Sequence, residues 1–272
     1  MGIALVCAIK GYKAVITIQD RMSSEKINRL RALGAKVIVC PSGLPGTHPQ
    51  SYLSRAKELA KKENVFYTDQ YNNFANASAH FEQTADEIFK QTKGKIDYFF
   101  CGVGSGGSIT GCAQYFRKHS PNTKIIGVDP DGSLLALPAE LNKGEKMIRV
   151  EGIGKNKPPG VLDRSIIDGW VKVSDKDSFQ MAREIIQKEG IFCGGSCGSA
   201  LIGTLNYLKQ IGAHENENLR VVLLFPDSTT NYLSRFMKLE WMVASGYQNA
   251  KALINKKSLL FNHNISNFPF VK

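Results

Sequence analysis

Hydrophobic residues along this chain come in short blocks whose spacing switches between two periods. Residues 14–18 form a compact β-branched run that predicts a strand. Ser23 then stands as an N-cap, with Glu25 in the first turn. Ile27, Leu30 and Leu33 supply one helical face, and Gly34 a stop. Residues 36–40 are the next predicted strand, closed by Pro41. A Gly/Pro/Ser loop over 42–50, a helix over 51–62 and a short strand over 65–67 follow. A helix over 75–91 leads to 96–103, whose near-continuous apolar run fits a strand covered on both faces of a parallel sheet. A helix over 110–119 and a strand over 124–129 come next, then irregular chain over 133–165. The pattern resumes with a strand at 171–173, helices at 177–189 and 199–210, and a strand at 221–225. Strands alternating with helices of ten or more residues predict βαβ units and an α/β fold of open, mostly parallel sheets flanked by helices. Residues 1–9 are apolar throughout and are long enough for a strand or a helix. The expectation is that the chain opens inside a fold, at a sheet lacking its leading strands.

The composition narrows this picture. At 272 residues there is room for one large domain or two modest ones, and 43% hydrophobic with 22% charged residues excludes a disordered or fibrous chain. The formal charge of +11, from 35 basic and 24 acidic residues, favours anionic partners. No apolar run approaches the roughly 18–20 residues that span a bilayer, so no membrane partner is expected. Six cysteines are too few for a disulfide scaffold, and only Cys193 and Cys197 lie close together, without further ligands at zinc-site spacing. A reduced, cytoplasmic protein without a metal follows. Residues 243–272 are expected to be a partly disordered tail. Its end, 250–272, carries four lysines and no acid, too thin a cluster to predict nucleic-acid binding.

The sharpest chemical signal is the stretch from Gly102 to Gly111, with Gly104, Ser105, Gly106, Gly107 and Ser108 at its centre. It follows a predicted buried strand and opens a helix. Glycines there let backbone approach a ligand, and the free N–H groups of the turn favour an anion. Two phosphate ligands compete. Gly102, Gly104 and Gly107 spell a dinucleotide fingerprint, with Asp129 as the acid for a ribose hydroxyl. The adjacent Gly106 and Gly107 with flanking serines suit a terminal phosphate monoester instead.

The wider pattern resembles the fold type II pyridoxal-phosphate enzymes of the tryptophan synthase β-like kind, and within them the cystathionine β-synthase and cysteine synthase family. The resemblance rests on the stretches 22–26 and 31–35, 69–71 with Asn73, Asn76, His80 and 84–88, then 127–133, 151–154, 161–164, 193–196, 226–228 and Asn231-Tyr232, in that order over about residues 2–246. It implies two lobes, 1–84 and 85–242, with pyridoxal 5′-phosphate between them. It implies that residues 104–108 cradle the cofactor phosphate and that Ser228 sits at the pyridine nitrogen. Gln70 and Gly152 would line the substrate side. The implied reaction is β-replacement, joining a thiol or sulfide to serine or O-acetylserine, in a homodimer. The family anchors its cofactor on a lysine and holds substrate with a Ser-Gly-Asn-Thr-Gly turn. Neither has a counterpart among this chain's motifs, so no catalytic residue is assigned and activity is expected to be absent or weak. Lys155 stands where relatives carry an apolar or aromatic residue. The alternatives are a non-catalytic binding paralogue and, behind it, a dinucleotide-binding enzyme.

Overall fold

A computed structural model describes residues 1–144 and 146–249; the sequence expectations for 250–272 lie outside the described residues. Among the described residues six strands fall into two all-parallel sheets. The first contains β1 (Val15–Gln19) and β2 (Lys36–Cys40), joined by helix α2 (Ser24–Ala32). Ser23 caps α2 as its spacing predicts, its hydroxyl accepting from the Lys26 N–H. Helix α3 (Tyr52–Leu59) is capped in the same way by Ser51 and packs on β1.

The opening residues, sized for a strand or a helix, take the helical alternative. Gly2–Lys10 is a helix, α1, ended by Gly11 in the left-handed region at φ 73°. Only Ala4 of it is buried, while Ile3, Leu5, Val6 and Ile9 are exposed. Nor do residues 65–67 form a strand. Val65 and Phe66 are exposed, and no described strand lies alongside to take their backbone hydrogen bonds.

The second sheet has the order β5-β4-β3-β6, with β3 (Tyr98–Gly102), β4 (Lys124–Pro130), β5 (Gly169–Val173) and β6 (Val221–Leu223). Phe99, Phe100, Ile125, Ile126 and Val128 are fully buried, as strands covered by helices on both faces require. The covering helices are α6 (Gly107–His119), α7 (Asp175–Glu189) and α8 (Gly195–Gln210). Helices α7 and α8 pack closely because Gly198 carries no side chain; a Cβ there would strike the Ser178 carbonyl. Helix α9 (Leu239–Ala244) is the last described element; beyond it Tyr247 donates to Asp175 at 3.0 Å and packs on the core, so the first residues of the expected tail, 243–249, are docked rather than disordered.

The predicted helix over 75–91 is present but interrupted. It comprises α4 (Ala75–Ala79), one π-helical turn (His80–Thr84) and α5 (Ala85–Thr92). The wide turn sits against α6, where Gly111 lets the two backbones touch: a Cβ at Gly111 would strike the Ala77 carbonyl and stand 2.9 Å from Phe81 N.

Candidate functional site

Strand order marks the place. The chain runs from β3 to β4 to β5 and then returns to β6 on the other side of β3. The order therefore reverses at β3, and ligands of open α/β sheets bind in the crevice outside the carboxyl ends of strands at such a switch. The glycine loop leaves β3 there, and the segment carrying Asp227 and Ser228 leaves β6 beside it. Residues 150–154 join them, docked by the Gly154 N–H on the Val103 carbonyl at 2.8 Å.

The loop is held in a single shape by contacts on every side. A Cβ at Gly104 would run into the Gly152 carbonyl, and one at Gly107 into the Asn76 side chain. Gly106 adopts φ 89°, which favours glycine. Asn76 Nδ2 donates both to Ser105 Oγ at 3.0 Å and to the Gln70 carbonyl at 2.8 Å. Ser108 Oγ pairs with His80 Nε2 at 3.0 Å, and His80 Nδ1 pairs with Thr84 Oγ1 at 3.0 Å. The π turn is what swings His80 onto the loop. Burial lowers the His80 pKa, so its ring is neutral near pH 7.

Residues 104–108, Gly152 and Gln70 are thus brought together, Gln70 through its backbone while its side chain is exposed. Asn76 and His80 had no role assigned from sequence. Their i, i+4 spacing, aimed from one helix at the glycine loop, was the available signal.

Ser228 is half-buried, and its hydroxyl accepts from the Thr230 N–H at 3.3 Å, capping the short turn Thr229–Asn231. A second serine was missed. Ser196 is 4% exposed in the first turn of α8, and its carbonyl lies 4.0 Å from where a Gly102 Cβ would be. Its hydroxyl meets no protein partner among the described residues. The sequence began this helix at 199, so Ser196 read as loop.

Lys155 is committed to neighbours. Its Nζ donates to Tyr71 Oη at 2.8 Å and lies 4.6 Å over the same ring. Tyr71 Oη also pairs with Tyr52 Oη at 3.0 Å, and burial pushes the Tyr52 hydroxyl up to about 12 despite the nearby ammonium.

The dinucleotide expectation fails at Asp129. That carboxylate is fully buried, ion-paired with Lys172 Nζ at 2.8 Å, and accepts the Ala136 N–H at 3.2 Å. Nothing of it is presented to a ribose hydroxyl.

What the loop does offer is donors. The N–H groups of Gly104, Ser105, Gly106, Ser108 and Ile109 find no backbone acceptor among the described residues. They surround the N-terminus of a thirteen-residue helix with no acid in its first turn. Unpartnered amides converging at a helix N-terminus, with two hydroxyls beside them, fit a phosphate monoester.

The family model described as "Pyridoxal-phosphate dependent enzyme" matches residues 1–227. The chain belongs to the pyridoxal-phosphate dependent enzymes. It is similar to a cystathionine beta-synthase of Dictyostelium discoideum, 43% identical over 248 residues that cover 91% of this chain and 49% of the relative. A mouse (Mus musculus) cystathionine beta-synthase is 41% identical over 258 residues, 94% of this chain and 45% of the relative. The chain therefore spans about half the length of the curated relatives it matches. Among solved structures, a hydrogen sulfide-producing enzyme from Fusobacterium nucleatum superposes with a TM-score of 0.77 at 36% identity, covering 85% of this chain and 75% of that one. An O-acetylserine dependent cystathionine beta-synthase from Helicobacter pylori gives 0.76 at 30% identity, covering 85% and 72%. The fold is that of the fold type II enzymes, and the family's cofactor is pyridoxal phosphate.

Proposed function

We propose that this chain builds the phosphate-binding and substrate-facing part of a β-replacement site, at which a thiol or sulfide is joined to the side chain of serine or O-acetylserine. The observation that carries this reading is the set of unpartnered amides at 104–109, a cradle for a phosphate monoester. When bound, pyridoxal phosphate supplies an electron sink for charge at the amino acid's α-carbon.

The chain's own residues do the rest. The loop amides, Ser105 and Ser108 hold the phosphate, while Asn76 and neutral His80 keep those hydroxyls aimed. A serine hydroxyl, rather than a carboxylate, faces the ring nitrogen and leaves it without a full positive charge. Ser196, buried and unpaired, suits that role better than Ser228, whose hydroxyl already caps a turn. Gln70 and Gly152 flank the substrate. None of the chain's lysines is assigned the covalent anchor; Lys155 is engaged by Tyr71. Turnover by this chain alone is therefore expected to be weak or absent. The two lobes run over 1–84 and 85–242, meeting at this site. A homodimer and a cytoplasmic setting are the family's usual circumstances; among the described residues no helix is long and apolar enough to cross a membrane.

Equilibrium dialysis against pyridoxal phosphate tests the cradle. Saturable binding that is lost in Gly107→Ala supports it; binding equal in both proteins, or absent from the wild type, overturns it. Incubation of the loaded protein with serine and a thiol then separates a replacement enzyme from a binding paralogue.

A further inference from the structure

Lys155 follows directly on the segment that docks against the glycine loop, and its backbone is fixed on both sides. Its N–H donates to Ser133 Oγ at 2.9 Å, and its carbonyl accepts from the Leu134 N–H at 2.7 Å. The side chain then crosses to residues 70–71, where Nζ donates to Tyr71 Oη at 2.8 Å and stands 4.6 Å over the ring. Tyr71 is itself tied down, its carbonyl accepting from the Val161 N–H at 3.0 Å. It is the next residue after Gln70, whose carbonyl is linked through Asn76 to Ser105 of the loop. The ammonium is thereby held between 70–71 and 152–154, the two segments that carry Gln70 and Gly152.

What holds it is neutral. Burial raises the Tyr71 hydroxyl and pushes Tyr52 up to about 12, so both phenols keep their protons near pH 7. They accept hydrogen bonds and cancel no charge. An ammonium carries three donors, and two phenols take at most two of them. Among the described residues no carboxylate pairs with Lys155. The acids nearest in sequence to either end of this contact are engaged elsewhere. Asp69 accepts from Asn72 Nδ2 at 2.9 and 3.1 Å, and Asp163 accepts the N–H and the hydroxyl of Ser165. Glu151 accepts from Lys26 Nζ at 2.9 Å.

A half-buried ammonium with a donor to spare and no counter-charge is a place for an anion, because hydrogen bonds between ionised partners are about twice as strong as neutral ones. An amino group, by contrast, finds no unengaged acid among the residues around this contact.

We propose that Lys155 is a specificity-determining residue for the thiol: its ammonium receives a carboxylate carried by that thiol, so that the preferred partner is a mercaptocarboxylate of net negative charge rather than a neutral or cationic thiol. The role as thiol selector rests on the β-replacement reading above; the carboxylate contact itself does not.

Calorimetric titration of the full chain with 3-mercaptopropionate, with its methyl ester and with cysteamine reads this contact without turnover. The acid should bind saturably, the ester about tenfold more weakly, the loss expected for one charge-assisted hydrogen bond, and cysteamine not at all. Lys155→Met should bring the acid down to the level of the ester, and Lys155→Arg, which keeps the cation, should retain the preference. Equilibrium dialysis of the same proteins against pyridoxal phosphate reports on the cradle separately. No saturable binding of the acid, acid and ester bound alike, or a preference that survives Lys155→Met overturns the role of Lys155, whatever the cradle does. Cofactor binding absent from the wild type, with the acid preference present and lost in Lys155→Met, would sink the β-replacement reading instead and support the carboxylate contact.

Discussion

Removal of the Lys172 ammonium tests whether Asp129 is a structural carboxylate. The pair is 2.8 Å apart, with side chains 12% and 0% exposed, and Lys172 Nζ also donates to the Ser133 carbonyl. At an effective dielectric of 20, charges at that distance attract by about 6 kcal/mol, an upper bound before desolvation. Breaking such a pair from one side typically costs about 3–5 kcal/mol. Because the Ala136 N–H still donates to Asp129 Oδ2, the lower end applies, and Lys172→Met should lose about 3 kcal/mol at pH 7. For a chain of this size that lowers Tm by about 6–12 °C, read by calorimetry.

The loss should depend on pH. Burial raises the Asp129 pKa, with Lys172 pulling it back down. Without Lys172 it rises further. A raised carboxyl holds its proton more tightly when folded, so the variant regains stability as pH falls through that raised value toward the ordinary carboxylate range near about 4. Asp129→Asn combined with Lys172→Met should recover at least half of the loss. A Lys172→Met protein within about 0.5 kcal/mol of wild type, the scatter of an ordinary surface substitution, would refute the reasoning. So would a deficit that does not change between pH 7 and acid.

Other outcomes follow from the contacts around the glycine loop. Gly111→Ala puts a methyl into the Ala77 carbonyl and should cost about 3 kcal/mol, seen as a lower urea midpoint. Burial lowers the His80 pKa, so its stabilising contribution is complete above the unfolded value near about 6.5 and is lost as pH falls below it; His80→Asn should flatten that part of the stability–pH curve. Ser196→Ala should weaken pyridoxal phosphate binding more than Ser228→Ala does in equilibrium dialysis, and the reverse order would return the ring nitrogen to Ser228.

Much of the fold was legible in the chain. Ser23, Glu25 and Gly34 marked a helix with local chemistry, and residues 36–40 form β2 as their β-branched run predicts. The near-continuous apolar run over 96–103 predicts a covered parallel strand and contains β3, because burial on both faces leaves no polar alternation. The free amides of the loop that follows were legible too, since glycines and serines between a strand and a helix expose N–H groups whatever surrounds them.

Other features depended on distant partners. Residues 195–198 are poor helix formers and read as loop, yet they form the first turn of α8 because their smallness lets α7 approach, and that turn carries Ser196. Residues 65–67 have strand composition but no neighbouring strand, and residues 2–10 are apolar yet helical and largely exposed. Asp129 sat at fingerprint spacing, and only the arrival of Lys172 from the neighbouring strand β5 turned it from a ligand for ribose into a buried ion pair. Sequence by itself determined the class of fold and the strand–glycine loop–helix geometry of 102–111, because both are written in local periodicity and backbone chemistry. Tertiary structure alone decided which serine is free and which acid is occupied, because pairing and burial depend on residues far apart in the chain.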